Sequence, residues 1–227
     1  MDEQQFIGVI RNGNAFLQVP VEHQMSLLGL DKKTIKGLEG KAGLDIGCGN
    51  GALVEELRKR GVLFEGIDPI APRDSPYLIS QNIYGMFPMD GAILREDNSY
   101  DIITAFQCST LNRAFTIGGI LRGPNLIGGD EEDKDFHNTR VINAHFIIYE
   151  AARVAKPNSR IVVYPCLTRL EETMGHMLKM SGIRFHTEKI DKNLAEEYME
   201  WEFPGEIPTE YFKRFGLYER TILVKEK

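Results

Sequence analysis

The stretch AGLDIGCGNGALVEEL, residues Ala42 to Leu57, passes from a short apolar segment through three closely spaced glycines into a helical pattern. GLDIG reads as a strand. GALVEELRKRG reads as a helix with Leu53, Val54 and Leu57 on one face and Gly61 placed to stop it. A strand that runs at once into a helix N-terminus brings unpaired backbone N–H groups to a point, with the helix dipole behind them, so an electron-rich ligand is expected there. Gly47, Gly49 and Gly51 allow positive φ angles and remove Cβ atoms that would collide with a ligand lying across the backbone. The spacing leaves two ligands open, because GCGNGA satisfies the relaxed dinucleotide fingerprint GxGxxA as well as GxGxG. Asp45 breaks the tie. It lies inside the strand, two residues ahead of the first glycine, where a carboxylate repels a pyrophosphate and suits a ligand with a cationic group.

Outward from this turn the chain alternates between short apolar strands and helical segments. VLFEGIDP reads as a second strand ended by Pro69, SPYLISQNI as a short helix, YGMFPMD as a third strand or its exit, and YDIITAFQ as a fourth built from aromatic and β-branched residues. NAHFIIYEAARVAKP reads as a long helix closed by Pro157, and SRIVVYP as a fifth strand. Runs of this kind require right-handed crossovers and give an α/β fold, a parallel sheet with helices on both faces. Residues 1 to about 40, with Met25, Leu27, Leu28, Leu30, Ile35 and Leu38 as apolar positions, predict one or two helices that cap the sheet. Residues 108–140, after the fourth strand, contain two Gly-Gly pairs and the acidic run GDEEDKD, and read as an insertion: a lid, a binding loop or a disordered segment.

At 227 residues and 25.7 kDa the chain is expected to form a single domain. Its 42% hydrophobic and 26% charged residues are those of a soluble globular protein, and no apolar run is long enough to span a bilayer. The acidic start MDEQQF, with no apolar segment behind it, predicts a cytoplasmic protein. A net charge of -6 and a pI near 5.5 work against nucleic acid as a partner. Cys48, Cys108 and Cys166 form no CxxC pair, so neither a disulfide framework nor a metal site is expected.

LDIGCGNG resembles motif I of the class I S-adenosylmethionine-dependent methyltransferases, most like their small-molecule, type 11-like members, and the likeness continues down the chain over about residues 40 to 165. The resemblance implies a Rossmann-like fold with a seven-stranded, mostly parallel sheet and an antiparallel last strand. It implies S-adenosylmethionine as cofactor and S-adenosylhomocysteine (SAH) as product. Asp45 would hold the amino end of the cofactor, with Gly47, Cys48, Gly49, Asn50 and Gly51 forming the turn against it. Asp68, followed by Pro69, would accept from both ribose hydroxyls. Asp90 and Gly91 in PMDGAIL would meet the adenine, and Phe106 and Gln107 would stand near the reactive methyl, with Cys108 and Asn112 beyond them. LEETMGHMLKMSGI, FHTEKI and YERTILVKEK fit the closing helix and antiparallel strand pair.

Methyl transfer from a sulfonium is an in-line displacement, for which alignment and desolvation supply most of the catalysis. His137, His145 and Tyr164 are the candidates for a catalytic base or wall. No (D/N)PP(Y/F) follows strand four, which sets aside the amino-methylating enzymes of adenine and glutamine, and the paired-glutamate loop of the arginine methyltransferases is missing. A small-molecule acceptor is the leading expectation, in a monomer or homodimer. A catalytically silent S-adenosylmethionine-binding regulatory protein and an NAD(P)-dependent oxidoreductase are the alternatives.

Overall fold

The computed structural model describes residues 19–68, 71, 74–80, 92–108, 111, 144–168, 170–202 and 216–226. Seven strands make one sheet: β1 (Ala42–Ile46), β2 (Leu63–Asp68), β3 (Leu78–Ser80), β4 (Tyr100–Phe106), β5 (Ala155–Tyr164), β6 (Ile183–Lys189) and β7 (Glu219–Lys225). Their spatial order is β3-β2-β1-β4-β5-β7-β6. The pairs β3–β2, β2–β1, β1–β4 and β4–β5 are parallel, whereas β7 is antiparallel to both β5 and β6. This is the mostly parallel sheet with an antiparallel last strand that the resemblance implies.

The described helices are α1 (Val21–Leu27), α2 (Lys32–Leu38), α3 (Ala52–Lys59), α4 (144–154), α5 (Leu170–Met180) and α6 (Lys192–Glu202). Strand alternation sorts the core into two faces. Leu44, Ile46, Ile67, Ile103, Ala105, Ile161 and Val163 pack against Ile147, Ile148 and Ala151 of α4 and Leu170, Met174 and Leu178 of α5. Phe64, Ile102, Phe106, Val162, Tyr164 and Ile222 pack on the other side against α1, α2, α3 and Tyr198 of α6. The six apolar positions expected to cap the sheet at the N-terminal end are all buried here. Asp31 caps α2 by accepting from the Thr34 N–H at 2.7 Å.

Two local expectations are corrected. Residues 75–83, read as a short helix, instead contribute β3: Leu78, Ile79 and Ser80 pair with Gly66, Ile67 and Asp68. The edge of β2 offers hydrogen bonds that a lone helical turn lacks, and the Gly66 N–H donates to the Tyr77 carbonyl at 2.9 Å. Leu78 is buried where Gly51 and Gly66 have no side chains, since a Cβ on either would lie within 3.0 Å of it. The strand expected at 84–90 lies outside the described residues. Pro157 does not close α4, which ends at Val154; β5 begins at Ala155, and residues 156–159 bulge out through Asn158 at φ 63° before pairing resumes at Arg160 with Ile102. Helix α6 is an element the hydrophobic pattern did not reveal, because charged residues interrupt its apolar face.

Gly43 in β1 pairs with Phe64 in β2, and the Phe64 ring lies over it: a Cβ at Gly43 would stand 2.1 Å from the ring. Phe64 is fully buried and has nowhere to go. Gly43→Ala is therefore expected to destabilise the fold by roughly 1–3 kcal/mol, the usual size of an overpacking penalty. Urea denaturation should show a lower midpoint with an unchanged slope; an unmoved midpoint would contradict this packing.

Candidate functional site

The carboxyl ends of β1, β2, β4 and β5 meet at one edge of the sheet, the edge at which open α/β folds bind ligands. The glycine turn leaves β1 there. Gly47, Gly49 and Gly51 have φ of 79°, 54° and 83°, all in the left-handed region, so each position needs the freedom that glycine supplies. Gly51 is the N-cap of α3, and Asn50 supports the junction by accepting from the Ala52 N–H at 3.2 Å.

Four N–H groups of the turn, where unpaired donors were expected, are used inside the protein. Gly47 and Cys48 donate to the Ile67 carbonyl at 2.8 and 3.3 Å, Gly51 donates to the Cys48 carbonyl at 2.9 Å, and Gly49 donates to Asp68 Oδ2 at 3.1 Å. This network stitches the turn to the end of β2. It leaves those donors unable to serve a pyrophosphate, which counts against the dinucleotide reading.

Two carboxylates bracket the turn. Asp45 is 3% exposed and accepts from Thr104 Oγ1 at 2.7 Å. Burial pushes its carboxyl from the ordinary 3.8 up to about 7; the Thr104 hydrogen bond pulls the other way, and the charge of Asp68 adds to the rise. Asp68 is buried at the end of β2. Between them sits Cys48, whose thiol is pushed up by burial and by both acids and stays protonated at neutral pH. Its sulfur occupies the space left by Gly66, where a Cβ would lie 2.6 Å away. The electrostatics of this pocket favour a cation.

Phe106 and Gln107 leave the end of β4. Phe106 is buried and stacks on Tyr164, with ring centroids 5.7 Å apart; Tyr198 of α6 meets both rings edge-on. Gln107 is partly exposed and adopts φ 50°, held by its N–H donating to the Tyr164 carbonyl at 2.8 Å. A left-handed glutamine at a strand end is strained backbone of the sort that collects at functional sites. Tyr164 is fully buried, and its hydroxyl donates to the Leu217 carbonyl at 3.1 Å, so its ring belongs to the core and not to a cavity wall. Cys108 is likewise buried. His145 lies in the first turn of α4; because a crossover helix runs back against the strands, this end of α4 faces the carboxyl edge. Burial lowers its pKa and keeps the ring neutral. Pro69, Asp90, Gly91, Asn112, His137 and most of the 108–140 insertion lie outside the described residues. Thr104 is the site residue that sequence reasoning missed; its signal was a lone hydroxyl in the apolar run of β4, legible only once the β1–β4 register is known.

Among the described residues no helix is long and apolar enough to cross a membrane, and no three His, Cys, Asp or Glu side chains group as metal ligands. A depression lined by Ile93, Leu94, Arg95, Glu96 and Ser99 lies before the start of β4, at the opposite end of the strands from the glycine turn.

Residues 23–109 match a family profile described as a methyltransferase domain. The chain is 25% identical over 200 residues to the ubiquinone biosynthesis O-methyltransferase of Aeromonas salmonicida (strain A449), covering 78% of this chain and 83% of that protein. It is 32% identical over 97 residues to the enzyme of the same name from Acinetobacter baumannii (strain ACICU), covering 37% of this chain and 40% of that protein. Among solved structures, the plantazolicin methyltransferase BpumL in complex with SAH superposes with a TM-score of 0.51 at 12% identity, covering 100% of this chain and 92% of that one, which is a likeness of fold.

The raised pKa of Asp45 has a stability consequence of definite sign. Between pH ~4 and ~7 the folded protein keeps a proton that the unfolded chain has released, so stability falls as pH rises through that window. In the ligand-free protein, Asp45→Asn should match the parent near pH 4 and be more stable than it at pH 8, by an amount on the order of a few kcal/mol. Parallel stability curves across that range would contradict the burial of an ionising Asp45.

Proposed function

With a methyltransferase domain on a class I fold as the premise, we propose that this protein transfers the methyl group of S-adenosylmethionine to a small-molecule acceptor by in-line displacement. The observation that carries the reading is the pair of acids, Asp45 and Asp68, around a glycine turn four of whose N–H groups are already donated within the chain. A cationic ligand suits that site and a pyrophosphate does not.

In this reading Asp45 takes the ammonium of the cofactor, Asp68 accepts from its ribose, and the glycine turn admits the chain between them. When bound, the cofactor supplies an electrophilic methyl on a sulfonium sulfur. The task of the protein is alignment and exclusion of water. Phe106, Tyr164 and Tyr198 pack as an apolar layer of the core beneath the carboxyl edge, and Gln107 follows Phe106 at the end of β4. The two curated relatives are named as O-methyltransferases, which supports oxygen as the acceptor atom. A hydroxyl acceptor gains from a neutral base near it, and His145, kept neutral by burial, is the described residue suited to that role.

The direct test is incubation of the purified chain with methyl-labelled S-adenosylmethionine and separate pools of small metabolites, protein and nucleic acid. Label is expected in the small-molecule pool. Label confined to macromolecules, or none in any pool, would overturn the proposal.

Two binding measurements probe the cofactor site. Asp68→Ala should weaken SAH binding by roughly 1.5–3 kcal/mol, the usual size for hydrogen bonds to a charged group; unchanged affinity would remove Asp68 as the ribose partner. SAH affinity of the parent should fall as pH drops below about 7, because Asp45 must be ionised to meet an ammonium. A flat profile between pH 6 and 8 would remove Asp45 from that role.

A further inference from the structure

On the sheet face that carries Asp45, the row through that residue is apolar for most of its width from β3 to β7. Its register places Leu78, Gly66, Asp45, Thr104, Val162 and Ile222 side by side across β3, β2, β1, β4, β5 and β7. In that row Asp45 and Thr104 are the two polar side chains. Thr104 has no solvent exposure, and its hydroxyl lies 2.7 Å from Asp45 Oδ1.

A buried hydroxyl is unfavourable unless it is hydrogen-bonded, and valine would fill the same space without that requirement. The hydroxyl carries one proton, and Asp45 Oδ1 receives it. A bond in that direction favours the ionised carboxylate, fixes its rotation about χ2, and leaves Oδ2 for a ligand. The branched side chain has few rotamers in a strand, so the donor is held in place before any ligand arrives.

We propose that Thr104 is a positioning residue that presents Asp45 as an oriented carboxylate to the cationic end of the bound cofactor. This rests on the cofactor site proposed above. Thr104 touches no reacting atom; it acts through Asp45. Besides Thr104 from β4, the groups that bear on Asp45 are Asp68 from β2, which opposes its ionisation, and the protonated Cys48 of the turn. Thr104 offsets part of the penalty that burial and Asp68 impose.

The test compares the parent, Thr104→Val and Thr104→Ser in two measurements. The first follows the ¹³C carboxyl resonance of Asp45 across pH in the ligand-free proteins. The second titrates each with SAH between pH 6 and 9. In Thr104→Val the Asp45 inflection should move up by roughly one pH unit, the usual size for loss of one hydrogen bond to a carboxylate. SAH affinity at pH 7 should fall about fivefold, the loss of ionised Asp45 that such a shift produces from a starting pKa of about 7, and recover toward the parent at pH 9. Thr104→Ser should restore both.

An unmoved inflection in Thr104→Val overturns the role of Thr104 by itself. A loss of affinity that is equal at every pH makes Thr104 a packing residue and also overturns it. Silence of the parent toward SAH overturns the cofactor reading, and the ligand part of this proposal with it. The carboxyl titration needs no ligand, so it separates the two failures.

Discussion

A carboxylic acid buried in the middle of a parallel sheet is the constraint around which the rest of this structure is arranged. Asp45 stands where such sheets keep an apolar side chain, and burial holds its carboxyl half-protonated near neutral pH. Isolated charge in such a place is strongly unfavourable. The chain tempers it with one hydroxyl from the adjacent strand; in the proposed function a ligand of opposite charge meets the remainder. Under that proposal the residue that weakens the empty fold is the one that binds the ligand, a trade of stability for function of a familiar kind.

The surrounding elements follow from holding that acid at the sheet edge. Gly47, Gly49 and Gly51 turn the chain sharply enough for Asp68 to reach the Gly49 N–H, and the Ile67 carbonyl takes the Gly47 and Cys48 N–H groups. The result is a turn braced against β2 and lined by acid. Below it, the stacked rings of Phe106 and Tyr164, closed by Tyr198 of α6, form a dry floor. A reaction limited by alignment and desolvation needs a rigid cofactor seat and an apolar surround, and little more from the protein.

Much of this was legible in the sequence, and the parts that were not share a cause. The turn, Asp45, Asp68, four of the parallel strands and the closing antiparallel strand pair carry local signals: glycine where φ is positive, β-branched runs, an acid at a strand end. Strand β3 was misread as a helix because three residues give no period, and it becomes a strand only by pairing with the edge of β2. Thr104 was passed over because its role exists only in the β1–β4 register. Tyr164 looked available at a strand end, yet its ring is enclosed by elements distant in sequence, and the Leu217 carbonyl accepts the hydrogen bond from its hydroxyl. In the turn itself the glycines were read correctly and their N–H groups were not, since the acceptors sit on the neighbouring strand. Local chemistry shows in sequence; pairing across the sheet does not.

The central claim is that this acid-lined turn takes a cationic nucleoside and refuses a dinucleotide. Calorimetric titration of the purified chain with SAH and, in parallel, with NAD tests it most directly. Micromolar binding of SAH with no heat from NAD is the predicted result. Binding of NAD, or silence toward SAH, would contradict the account and return the glycine turn to packing or to another ligand.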